Sequence, residues 1–317
     1  MLKKMSLRKI GITTCALVLL MLFYTFPNDN KESFKIENIN YEEDLIYKSV
    51  YLLDRYDYVS KIMVNVDSNE TLNLVKEKIE FLIDNSNKSD SVPNGFKSLI
   101  PNNTKLIDLK LENDLVSIYF SKDILSVTEE NEEKMIEAIV YSLTDIPEIN
   151  KVNIYVEDEI LDKLPNSNKK LDMPLTRKYG INKQYDIDNL NDTTKTTIFY
   201  LNDKTDNTYY TPVTFVNNDR QEKISIIVDE LKSSVLYQSN LSSYLSAASE
   251  LENYEIIENT MYLSFNDKLF DDINSTNILE EVKYTINASI KENYDVSEVV
   301  YLVDGKEIEK IELKTLE

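Results

Sequence analysis

The chain has no histidine and no tryptophan, one cysteine and four glycines among 317 residues. Without His there is no Ser/His/Asp or Cys/His catalytic arrangement and no His-ligated zinc, haem or non-haem iron centre. A lone Cys excludes an internal disulfide, a Cys-x-x-Cys redox pair and an iron–sulfur cluster carried by this chain alone. Four glycines leave little material for a phosphate-cradling loop, and no Walker or Rossmann pattern is present. Basic residues are also scarce: 35 Lys and Arg against 56 Asp and Glu give a formal charge of −21. Such a balance disfavours nucleic acid, whose binding is driven by cations that neutralise phosphates. Chemistry based on carboxylates, Lys, Ser and Tyr remains open, but no residue emerges as a catalytic, cofactor-binding or metal-ligating candidate. The reading is therefore of a protein that is not an enzyme and that needs no cofactor.

What is present begins with a membrane signal. Residues 1–9 carry Lys3, Lys4, Arg8 and Lys9 with no acid, and residues 10–26 are uncharged. At about 1.5 Å per residue that apolar stretch covers roughly 25 Å, slightly less than a hydrocarbon core. The positive-inside rule places 1–9 in the cytoplasm and the rest outside. Phe23-Tyr24-Thr25-Phe26-Pro27 offers no small-x-small cleavage site, which favours a retained anchor. Cys15 lies near the start of the apolar stretch and reads as a small buried residue, not a lipid-attachment site. Residues 27–46 are polar and acidic and read as a tether.

Beyond the tether the chain repeats itself. Leu109 to Leu125 resembles Tyr254 to Phe270. In both segments alternating apolar residues flank a polar turn: Leu109, Leu111, Val116, Ile118 and Phe120 in one, Ile256, Met261, Leu263 and Phe265 in the other. Period two predicts half-buried hairpins. A helix follows each, with Met135, Ile136, Ile139, Val140 and Leu143, and with Ile278, Leu279, Val282, Ile286 and Ile290, on its apolar face. Ser126-x-x-Glu129 reads as a capping box for the first of these. Strands Val152 to Val156 and Val299 to Val303 close the copies. Upstream, Val50 to Leu53 and Ile62 to Val66 match Ile198 to Leu201 and Pro212 to Val216; helices bearing Leu72, Val75, Ile79 and Leu82, and Ile224, Ile227, Val228 and Leu231, come next. The expected architecture is α+β: a transmembrane helix, then two tandem small domains at 47–162 and 196–311, each a sheet covered by two helices, and a tail at 312–317.

Residues 163–195 lie between the copies and, with Pro165, Pro174 and Gly180, read as a linker. Six basic residues against Asp172 make 163–183 a basic strip inside an acidic protein. Such a strip is either a solvated connection or a segment that docks onto the acidic copies or another anion.

Taken together, these motifs resemble the GerMN domain, a sporulation and spore germination module of exported bacterial proteins. The first copy supplies Pro101-Asn102-Asn103-Thr104-Lys105-Leu106, then Phe120-Ser121 with Ile124 and Leu125; Asn103 stands where the family has glycine. The second supplies Ser249-Glu250-Leu251, Phe265-Asn266 with Leu269, and Val303-Asp304-Gly305. The resemblance implies two GerMN domains with a fold like that of the ring-building modules of secretion systems. It also implies a non-enzymatic role, at the cell membrane, in envelope assembly and germination, with envelope proteins of the sporulation machinery as partners. The alternative is a cell-wall binding module that positions peptidoglycan-active enzymes.

Three other features have ordinary explanations. The acidic run from Asp186 to Asp192 lacks the glycine and the bidentate Glu of a calcium loop. Glu129, Glu130, Glu132 and Glu133 suit the first turn of a helix on dipole grounds alone. Most of the 21 tyrosines read as strand and core residues, not a sugar-binding platform.

Overall fold

The computed structural model describes residues 45–188, 192–202, 208–218, 221–232, 240–270 and 276–315. The anchor at 10–26, Cys15 and the tether lie outside the described residues apart from Leu45 and Ile46. No helix among the described residues is long and apolar enough to cross a membrane. From Leu45 onward the chain forms one compact unit.

The upstream hairpins come first in each copy. Strands β1 (Ile46–Asp54) and β2 (Val59–Val66) pair antiparallel, as do β9 (Thr194–Asn202) and β10 (Tyr209–Asn217). Val50 to Leu53 and Ile198 to Leu201 are buried without alternation, so both faces of these strands are covered. Helices α1 (Thr71–Leu82) and α3 (Lys223–Lys232) follow. Within α1, Val75, Ile79 and Leu82 are buried, whereas Leu72 at the open first turn is exposed.

Each downstream half is a four-stranded sheet. Strands β4 (Leu106–Glu112), β5 (Leu115–Phe120), β6 (Lys151–Val156) and β7 (Glu159–Ile160) form the first; β11 (Leu251–Ile257), β12 (Thr260–Phe265), β13 (Glu298–Val303) and β14 (Lys306–Glu312) form the second. Alternate residues of β5 and β12 are buried, which matches their period-two pattern. The parallel pairs β5/β6 and β12/β13 are joined across helices α2 (Glu129–Thr144) and α4 (Glu280–Asn293). The last strand of each copy is β7 or β14, one more than the repeat pattern predicts; at the second turn Asp304 and Gly305 both take positive φ. Asn103 also takes a positive φ, of 68°, the conformation that glycine or Asn supplies at low cost.

The expectation of one sheet per domain is corrected by the topology. Strands β1 and β2 of the first copy join β9 and β10 of the second in a single six-stranded sheet, completed by β3 (Phe96–Lys97) and β8 (Gln184–Asp186). Two cores flank this shared sheet, one for each copy. A second correction concerns the start of α2. Its N-cap is Thr128 with no side-chain cap bond, while Ser126 Oγ donates to Asp123 C=O at 2.7 Å, so no capping box forms.

Candidate functional site

The junction of the copies is where the chain departs most from two beads on a string. Strands β2 and β10 are registered at one pair, Lys61 with Tyr210. Pro212 follows on β10 and has no N–H to extend a ladder. Asn182 makes up the deficit from the segment between the copies. Its Oδ1 accepts from Val59 N at 2.8 Å, and its Nδ2 donates to Val59 C=O at 2.8 Å and Pro212 C=O at 2.7 Å. A φ of 48° at Asn182 turns the amide between the strands. Nearby, Ser60 Oγ and Thr211 Oγ1 lie 2.7 Å apart, and the buried Asp54 carboxylate accepts from Ser60 Oγ and from Tyr209 Oη, both at 3.0 Å. Tyr209, a second-copy residue, thus belongs to the first core.

Residues 163–188 are consequently not a solvated connection. Leu164, Leu171, Leu175 and Ile181 are buried in the first core, and Leu175 bridges Val152. Gly180, with a φ of +85°, passes so close to Thr214 that an added Cβ would meet its side chain at 3.2 Å. The acidic first turn of α2 receives this segment. Glu132 accepts from Asn166 N at 2.7 Å and Ser167 N at 3.0 Å. Glu133 pairs with Lys169 and Lys183, both at 2.9 Å, and Glu137 pairs with Lys183. Burial would raise the Glu133 carboxyl, but Lys183 and Lys169 hold it below its ordinary value. These glutamates anchor the segment between the copies to the start of α2.

Arg177 is the other basic residue of the strip with a defined place. Its guanidinium donates to Asp145 Oδ1 at 3.0 Å, to Glu292 Oε2 at 2.5 Å and, through Nε, to Thr144 Oγ1 at 3.0 Å. It also lies 4.8 Å from the Tyr141 ring centroid. Asp145 and Glu292 stand 147 positions apart and are equivalent in the repeat; so are Ser142 and Ser289, on α2 and α4. Ser142 Oγ accepts from Tyr51 N and Ser289 Oγ from Phe199 N, each at 2.9 Å. One arginine from between the copies therefore joins matching acids at the ends of matching helices. Sequence reasoning placed Arg177 in the basic strip but gave no sign of its two partners, which lie 32 and 115 positions away.

Beside Arg177 a cleft of about 720 Å³ opens between α2 and α4, lined also by Tyr51, Lys61, Phe199, Tyr284 and Lys291. The acidic run at 186–192 lies partly outside the described residues, and among these no group of three or more His, Cys, Asp or Glu could hold a metal ion.

A tandem repeat of a small α+β module, fused through one sheet and one arginine, is the class of protein these features define. Residues 49–162 match the Germane family model, sporulation and spore germination. Over 270 residues the chain is 27% identical to the spore germination protein GerM of Bacillus subtilis, covering 82% of this chain and 72% of that protein. The solved tandem GerMN domains of the sporulation protein GerM from Bacillus subtilis superpose with a TM-score of 0.74 at 26% identity, over 83% of this chain and 92% of that one. Residues 49–162 thus match a sporulation and spore germination domain, and the chain as a whole is similar to the tandem GerMN domains of GerM.

Proposed function

We propose that this is a non-enzymatic, membrane-anchored, extracytoplasmic structural protein that supports assembly of an envelope complex in sporulation and spore germination. The reading rests on the fused junction together with the similarity to GerM. A pair of modules held by a shared sheet presents its outer edges in a fixed relation, as a scaffold requires and as two modules on a free tether would not. Strands β4 and β11 are the matching edges, each with a bulge near its start and with exposed Ile107, or Ile256 and Ile257, beside open ladder positions. Photo-crosslinking from Ile107 or Ile256 in sporulating cells tests the proposal, with a specific extracytoplasmic protein as the expected product. A deletion strain that sporulates and germinates normally would count against it.

Cell-wall binding is the second reading, favoured by one observation. Tyr119 and Tyr155 stack at a centroid distance of 4.5 Å on the outer face of the first four-stranded sheet, with Lys110 4.7 Å from the Tyr119 ring. Sedimentation of the protein with purified walls, lost in Tyr119→Ala, is the expected result if this face binds glycan.

A further inference from the structure

The cleft beside Arg177 adjoins a smaller cavity, with which it shares Asp145, Pro147, Lys291 and Lys314. Six basic side chains line the pair (Lys48, Lys61, Lys78, Arg177, Lys291 and Lys314) against three acidic ones, Asp145, Glu292 and Asp295. A local excess of cations is unexpected in a chain of charge −21. Two of the three acids are already engaged by Arg177. Several other lysines of this protein with low exposure find carboxylates, as Lys88, Lys134, Lys183 and Lys283 do. Lys61, Lys78 and Lys291 have none within 4.0 Å among the described residues. Lys78 Nζ donates to Ser142 C=O at 2.9 Å, and Lys61 Nζ to Tyr284 Oη at 3.4 Å, both neutral partners. Although the Lys291 side chain is exposed, partial desolvation lowers its ammonium; Asp145 opposes that shift, Lys61 and Arg177 add to it, and Glu292 opposes it. Tyr51, which also lines the cleft, keeps a buried hydroxyl that has no hydrogen-bond partner among the described residues.

We propose that this cleft is a binding site for a small oxyanion ligand, a polycarboxylate or a phosphate ester. Lys61 and Lys291 would supply its counter-charge, and Tyr51, Phe199 and Tyr284 would form the walls against which an organic body packs. A volume of about 720 Å³ is in the range of small-molecule sites and mixes apolar walls with a few convergent polar groups. Arg177 is a positioning residue here, since its donors are spent on Asp145, Glu292 and Thr144. Because both copies contribute, Lys61 from the first and Tyr284 and Lys291 from the second, a bound anion would also hold the copies together. This inference is independent of which envelope protein the outer edges meet.

The test uses the full chain in detergent, titrated calorimetrically with citrate and, separately, pyrophosphate, with sodium chloride at matched ionic strength as the reference. Saturable binding of one equivalent of either probe is expected, with citrate alone assigning carboxylates and pyrophosphate alone assigning phosphates. Lys291→Glu should weaken binding at least about tenfold, and the pair Lys61→Gln with Lys291→Gln should abolish it. Lys110→Gln, on the outer sheet face, should leave it unchanged. Lys291 is exposed, so its substitution keeps the test decisive even where the buried Lys61 variant does not fold. Heats no larger than those with sodium chloride, or wild-type affinity in Lys291→Glu, would overturn the proposal.

Discussion

Arg177 shows how one side chain can decide the relation between two repeats. Its side chain retains about a quarter of its exposure while that of Glu292 is buried, so loss of the cation strands a carboxylate in a poorly solvated place. Arg177→Met should therefore cost about 3 kcal/mol, read from urea denaturation, and Arg177→Lys should recover less than half because a point charge cannot fork between two acids. Asp145 is coupled to the same cations. Burial pushes its carboxyl up, but Lys61, Arg177 and Lys78 hold it well below the usual carboxylate range. A depressed carboxyl stabilises the fold above its unfolded value, and that contribution disappears as the pH falls through the folded value. Lys78 is also lowered in the folded state, but because its surroundings disfavour its charge. Burial lowers it to about 8, with Asp145 opposing and Lys61 and Arg177 adding to the shift. Between pH 8 and the ordinary lysine range the unfolded chain then holds the extra proton, so stability rises with pH. Relative to Lys78→Met, the wild type should gain on the order of 2 kcal/mol between pH 8 and 10 in paired urea titrations.

At the scale of elements, the join between β2 and β10 depends on a side chain borrowed from outside the sheet. Asn182→Ala removes three hydrogen bonds, two of them to Val59 and one to Pro212, and leaves those main-chain groups unpaired. A loss of about 2–4 kcal/mol in denaturant stability is expected, and Asn182→Gly, which keeps the positive φ at no steric cost, should be no better. The hairpins and helices themselves were legible from periodicity, because burial on one face writes an alternating or 3.6-residue pattern into Leu109 to Phe120 and into Met135 to Leu143. The pairing of β2 with β10 was not. Continuous burial of Val50 to Leu53 records only that both faces of a strand are covered, not which strand lies beside it. Nor did anything near Ser126 reveal that the short turn from Lys122 to Ser126 would take that serine out of capping range of α2.

For the molecule as a whole, a shared sheet with two cores makes a specific claim about cooperativity. The two copies should unfold in a single calorimetric transition with matching calorimetric and van't Hoff enthalpies, whereas tethered domains would give two. A fragment spanning 45–188 would leave the β2 edge without β10 and Tyr209 missing from the first core; it should self-associate, as judged by sedimentation, because an open strand edge is a template for pairing. A monomeric fragment with full stability would contradict this account.

The sequence by itself determined the repeat, the main hairpins and helices of each copy and the apolar faces they bury, since each is a local matter of period, size and backbone preference. It also determined the scarcity of His, Gly and Cys that removed most catalytic chemistries from consideration. Only the tertiary structure decided that the segment between the copies packs against both, with Arg177 shared by Asp145 and Glu292 and Asn182 completing the sheet. It alone collected Lys61, Lys78 and Lys291 around one cleft. The physical reason is distance along the chain: hydrogen bonds and ion pairs need opposed partners at about 3 Å, and which residues meet at that range is set by the packing of whole elements.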